Sequence, residues 1–174
     1  MKLLFTFLAL AILSLSTIVI ADDDYGKGPD VAPVINQLYA DECGSCHFAY
    51  QPGFLPSRSW QQVMDNLDDH FGENAELEDN DHQAILSYLA KNAGDHSNYR
   101  RAKKFMRSIR SGQTPIRISK VPYFVHEHDE IPKRIIQKED VRSLSNCDAC
   151  HQRAHQGSYK ERELNIPGYG RWDD

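Results

Sequence analysis

The chain is poor in sulfur and in tryptophan. It has four cysteines, three methionines and two tryptophans in 174 residues. Positive charge is in deficit: 20 Lys and Arg stand against 25 Asp and Glu, a formal net charge of −5. A general nucleic-acid binder needs the opposite balance and is excluded on that ground. Only one long apolar run exists, Leu3 to Ile20, so no later segment can cross a membrane. Beyond the short pattern described next there is no internal repeat, and the two halves do not align as a duplication.

The one apolar run follows Met1-Lys2, ends at Val19-Ile20-Ala21 and gives way to Asp22-Asp23-Asp24. A basic start, an uncharged apolar stretch and a small-residue site describe an export signal. A retained membrane anchor is the alternative, at the lower edge of spanning length. Cleavage near Asp22 leaves 153 residues with 19 basic and 25 acidic side chains, a net charge of −6. Export from the cytoplasm follows, and with it a compartment where disulfides are permitted.

All four cysteines fall in two copies of one pattern, CGSCH at 43–47 and CDACH at 147–151. Cys-x-x-Cys-His is the attachment pattern of c-type haem. Two thiols add to the two haem vinyl groups, and the two-residue spacer lets both reach one porphyrin edge. The adjacent histidine then supplies an axial imidazole. A disulfide within each CxxC leaves both histidines unexplained. A zinc site from all four cysteines would bring its pairs closer together, about 15–20 residues apart. Cys43, Cys46 and His47 are therefore assigned to haem 1, and Cys147, Cys150 and His151 to haem 2. Two covalent haems would also give two small halves the large apolar centres they lack.

Val31, Val34, Ile35 and Leu38 form an i, i+3, i+4, i+7 stripe, predicting a helix over 31–42 that leads into the first motif. Ser59 and Gln62 suggest a capping box for a helix carrying Trp60, Val63, Met64 and Leu67, continuing to His70 and Phe71 and stopping at Gly72. A third helix starts at Glu78–Asp81 and ends near Asn92–Gly94. Arg100, Arg101, Lys103, Lys104, Arg107 and Arg110 crowd into a basic amphipathic helix joining the halves. Its charge reads either as a solvated face or as a docking patch for an acidic partner. TPIRISKVPYF reads as extended or irregular, and the tail from Gly157 as a turn-rich wrap.

Each iron needs a sixth ligand. For haem 1, His70 shares the apolar face of its helix with Val63 and Leu67, and Met64 is its rival. His82 reads as solvent-facing among acidic residues, and His96 lies in a polar turn. For haem 2, His126 and His128 alternate onto one side of an extended segment, so spacing leaves both open. His155 reads as a surface residue, and Met106 as core.

The stretch LPSRSWQQVMDNLDDHFGENAEL after CGSCH, with PYFVHEHDEIP, NCDACHQRAHQG and the closing IPGYGRW, resembles the dihaem cytochrome c family. These are the small DHC-type cytochromes of bacterial periplasms that pair with the sphaeroides haem protein. The resemblance covers nearly all of the mature chain, including the spacer between the motifs. It implies a mainly α fold, with a cytochrome c-like haem domain at 22–98 and an irregular, loop-rich haem domain at 99–174. It implies bis-histidine ligation, with His70 distal on haem 1 and His128 distal on haem 2. It further implies a low-potential electron carrier rather than an enzyme, serving redox proteins such as another periplasmic cytochrome or a membrane cytochrome b. A small dihaem enzyme or a reductase subunit with a labile sixth ligand is the competing reading.

Overall fold

The structure is a computed structural model that describes residues 28–171. The expected export signal and its cleavage site fall outside the described residues. Among those residues the fold is helical, and β pairing is confined to isolated bridges.

Helix α1 (Gln37–Gly44) starts six residues later than the apolar stripe suggests. The Asn36 side chain accepts from the Tyr39 N–H at 2.8 Å and caps the helix there. The stripe residues upstream are not helical. Val31 is fully buried because the Asp30 and Val31 N–H groups bond the Gly157 carbonyl (2.8 and 3.2 Å), whereas Ile35 is 83% exposed.

Helix α2 (Ser57–Met64) is not capped by Ser59, which lies inside it and is buried. Its first turn is satisfied from outside: Asp95 accepts from the Ser57 N–H (3.0 Å) and hydroxyl (2.7 Å). The helix also does not run on to His70. It stops at Met64, with Asp65 and Asn66 leaving the helical path. A single 3₁₀ turn, Leu67–Asp69, then carries the chain to His70. Asp and Asn compete for backbone hydrogen bonds and are poor helix interiors, which the apolar periodicity cannot register.

Helix α3 (Asp79–Asn92) packs on α2 through Ile85 and Leu89. The basic segment forms α4 (Arg100–Ser108), burying Ala102 and Phe105. The stretch expected to be extended is instead helical in part. A 3₁₀ turn, Ile118–Lys120, leads into α5 (Pro122–His126), with proline in its first turn. Short helix α6 (Lys133–Ile136) precedes the second motif, which begins in a 3₁₀ turn, Cys147–Ala149.

One apolar cluster runs through both halves, from Val31, Leu55, Trp60 and Leu89 to Phe105, Val121, Phe124 and Tyr159. The tail closes over it. The Tyr159 hydroxyl donates to Gln51 Oε1 at 2.5 Å, and its N–H donates to Asp30 Oδ2 at 2.7 Å. Gly157 sits at φ +71°, and a Cβ there would come within 2.2 Å of the Val31 carbonyl oxygen, so this crossing demands glycine.

Candidate haem sites

Two cavities hold the predicted residues. One, of about 710 Å³, is lined by Cys43, Cys46, His47 and His70, with Met64 and Leu67 in its wall. The other, of about 520 Å³, is lined by Cys147, Cys150, His151 and His128. Both volumes suit a cofactor pocket, about 300–1,000 Å³. Ile118, Phe124, Leu144 and Cys147 line both, so the cavities share a wall.

In the first cavity the His47 and His70 rings face each other with centroids 6.2 Å apart and planes inclined by 22°. In the second, His128 and His151 lie 6.1 Å apart at 65°. Two imidazoles bonded to one metal at about 2.0–2.1 Å, with ring centroids about 1.1 Å further back, stand about 6.2 Å apart. Each centroid separation thus matches that of two imidazoles held on one metal. His126 is exposed, although it borders the second cavity. The two histidines expected to share a strand side do not: His126 ends helix α5 and His128 lies in the turn beyond it.

The backbone prepares two of these rings. Phe48 O lies 2.8 Å from His47 Nδ1, and Phe124 O lies 2.8 Å from His128 Nδ1. A carbonyl only accepts, so Nδ1 carries the proton and the Nε2 lone pair remains for a metal. The Phe124 ring also stacks on His128 at 4.0 Å and 9°. His151 Nδ1 is buried without a hydrogen-bond partner. Burial, then His128 and Arg101, push the His151 pKa down to about 3, so this imidazole is a neutral base. Burial likewise lowers His128, and burial followed by His47 and Arg117 lowers His70.

His70 is placed by a tight turn. It pairs with Glu73 across Phe71 (φ 60°) and Gly72 (φ 103°), and the His70 N–H donates to the Glu73 carbonyl at 2.7 Å. A non-glycine residue at positive φ is uncommon and carries local strain. The Arg117 guanidinium lies 3.7 Å from the Phe71 ring centroid and covers it.

The four cysteines form no disulfide with one another. Burial pushes Cys43 up to about 11 and Cys147 to about 12, with Glu42 and Asp148 adding to the shift. Among the described residues no three His, Cys, Asp or Glu side chains gather as a metal cluster, so the four-cysteine zinc site is not built.

The other histidines lie elsewhere. His82 is half-buried rather than solvent-facing: its Nε2 lies 3.0 Å from the Met64 carbonyl and ties α3 to α2. His96 is exposed. His155 is exposed, 3.5 Å from Asp148 Oδ2 and against the Phe48 ring. Met106 is half-buried against the core.

Several site residues carry no sequence signal. Tyr50 stacks on His47 at 5.1 Å and donates its hydroxyl to the Ser145 carbonyl at 2.9 Å, next to the second motif. Arg101 reaches the Tyr159 carbonyl (3.1 Å) and Glu127 (3.5 Å) in the wall of the second cavity. Phe124 and Arg117 are known as site residues only from their positions.

The family model for dihaem cytochrome c matches residues 39–159. The chain belongs to the dihaem cytochrome c family. Among solved structures it is similar to the diheme cytochrome c from Rhodobacter sphaeroides, at 42% identity and TM-score 0.67 over 74% of this chain and 100% of that one. It is also similar to the diheme cytochrome from Shewanella baltica OS155, at 36% identity and TM-score 0.64 over 80% and 100%. No curated protein matches. This dihaem cytochrome carries two covalently bound haem c groups with iron, and family membership supports an electron carrier. Its helical, loop-rich architecture is that of these relatives.

Proposed function

We propose that this cytochrome works in the periplasm as an electron carrier with bis-histidine ligation at both haems. His47 and His70 would hold one iron, and His151 and His128 the other. Cys43 and Cys46, and Cys147 and Cys150, would form the thioether bonds. The observation that carries the reading is the facing imidazole pair in each cavity, 6.2 and 6.1 Å apart. Bound haem supplies a one-electron iron couple, whose potential bis-histidine ligation lowers relative to His/Met.

The chain's own residues do the rest. The Phe48 and Phe124 carbonyls hold the Nδ1 protons, keeping Nε2 free. Leu67, Trp60, Leu89 and Met64 give the first cavity an apolar wall. The uncharged run before Ala21 supports export, and no helix of the described residues is long and apolar enough to cross a membrane. Partners would be redox proteins, such as a second periplasmic cytochrome or a membrane cytochrome b. Residues 22–98 and 99–174 are proposed as the two haem-bearing segments.

The competing reading, a small enzyme or reductase subunit, needs one ligand to leave. The strained Phe71 turn beside His70 makes that histidine the first to release. Carbon monoxide added to the reduced holoprotein separates the two. An unchanged low-spin spectrum is expected; a carbonyl band would overturn full bis-histidine ligation and bring the enzyme reading forward.

A further inference from the structure

Charge in this chain is sorted by segment. Residues 65–81 contain eight acidic side chains and no Lys or Arg, whereas residues 99–120 contain eight Lys or Arg and no acid. The acidic run borders the first cavity, where Glu73 and Glu76 line the wall. The basic run borders the second, which Arg100 and Lys104 line.

On α4 the cations are ordered. Arg100, Lys103, Lys104 and Arg107 recur at i, i+3, i+4 and i+7, on the side opposite buried Ala102 and Phe105. Arg100, Lys103 and Arg107 are exposed. Like charges at i, i+4, here Arg100 with Lys104 and Lys103 with Arg107, destabilise a helix. Lys104 lies 5.7 Å over the Tyr123 ring, while Lys103 and Arg107 stand exposed four residues apart, an arrangement that favours an anionic neighbour.

We propose that this stripe is a docking face for an acidic one-electron redox protein, which it seats at the mouth of the second cavity. The inference rests on the electron-carrier reading. Attraction at α4 and repulsion by the 65–81 run would direct such a partner to one of the two sites. Glu127, Asp129 and Glu130 stand on the other lip of the same mouth and would turn the partner toward the α4 side. Electron-transfer encounters use small, salt-sensitive contacts of this kind.

The test uses the full holoprotein and an acidic flavodoxin as probe. In the Lys103→Glu/Arg107→Glu variant, electron exchange with the flavodoxin should slow about tenfold at ~10 mM salt and converge on the parent rate at ~0.5 M. Carbodiimide cross-linking of the parent should join flavodoxin carboxylates mainly to Lys103 and Lys104. A Lys91→Glu/Lys133→Glu variant carries the same change in net charge on other exposed positions. Equal slowing in that control, or cross-links spread evenly over the lysines, overturns the docking face. Reversible potentiometric titration of both haems with small mediators tests the carrier reading separately. If both haems cycle and the two variants behave alike, only the docking face fails; if neither haem cycles, the carrier reading fails as well.

Discussion

Gln51 is a buried polar joint between the two halves. It is fully buried; its Nε2 donates to the Ala154 carbonyl at 2.7 Å and its Oε1 accepts from the Tyr159 hydroxyl at 2.5 Å. Tyr159→Phe keeps the ring that packs against His151 at 5.0 Å but leaves Gln51 Oε1 buried and unpaired. That should cost about 1–3 kcal/mol. Gln51→Leu strands two groups, the Ala154 carbonyl and the Tyr159 hydroxyl, and should cost about 2–4 kcal/mol. The two changes share one bond, so the double variant should fall short of their sum by about 1–2 kcal/mol. With a guanidinium slope of roughly 2–6 kcal/mol/M, a loss of about 2 kcal/mol moves the midpoint by about 0.5 M. The assay is guanidinium unfolding of the holoprotein, followed by Soret absorbance and by far-ultraviolet circular dichroism. Both signals should move together, because both sites lean on the same joint. Additive losses, or a midpoint unmoved by Tyr159→Phe, would refute the reasoning. Two separated transitions would show that the halves melt independently.

Acid should weaken the fold over a defined window. His151 is held down to about 3 by burial, and His128 is lowered for the same first cause. Between the unfolded imidazole value of about 6.5 and about 3, the unfolded chain takes up protons that the folded chain refuses. Stability is therefore present above about pH 6.5 and should fall as pH drops toward about 3, with iron at Nε2 opposing protonation of the folded pair in the same direction. Guanidinium midpoints at pH 8, 6, 5 and 4 check this, and a flat profile contradicts it. Phe124→Leu removes the ring stacked on His128 while leaving the backbone carbonyl that fixes its Nδ1 proton. The ferric electron paramagnetic resonance signal of the site with steeply inclined imidazoles should shift or broaden. The signal of the near-parallel pair should shift less, the haem content should stay constant, and Phe124→Tyr should restore the parent spectrum.

The motifs were legible because covalent attachment leaves a pattern of fixed spacing: three residues of each site could be named at once, and the structure sets each trio in one cavity. The facing histidines were harder. Periodicity puts His70 on a helix face, yet it reaches the cavity through a 3₁₀ turn and a left-handed Phe71. Apolar periodicity ran through Asp65 and Asn66 because it records burial and not backbone competition. The same blindness placed a helix over 31–36, where Val31 is buried by a tail more than a hundred residues away. His126 and His128 could not be parted by alternation because that segment is helical up to His126; one helical step turns a side chain about 100°, so two residues point nearly opposite ways. Arg101 and Tyr50 owe their roles to contacts 58 and 95 residues distant, and no local pattern encodes those.

The two sites start from one five-residue pattern and end differently, and the difference arises on the facing side. His47 and His151 each follow a CxxC turn. Opposite them, His70 hangs on a strained two-residue turn held by Arg117, whereas His128 is fixed by both the ring and the carbonyl of one residue, Phe124. The imidazole planes follow: 22° in the first pair, 65° in the second. Phe124 also lines both cavities, together with Cys147. The residue that orients one site therefore forms the partition from the other, and a change in packing there is felt by both. Such coupling is what a carrier with two centres in one small core would need, and it explains why the apolar cluster is continuous across the proposed division at residue 98.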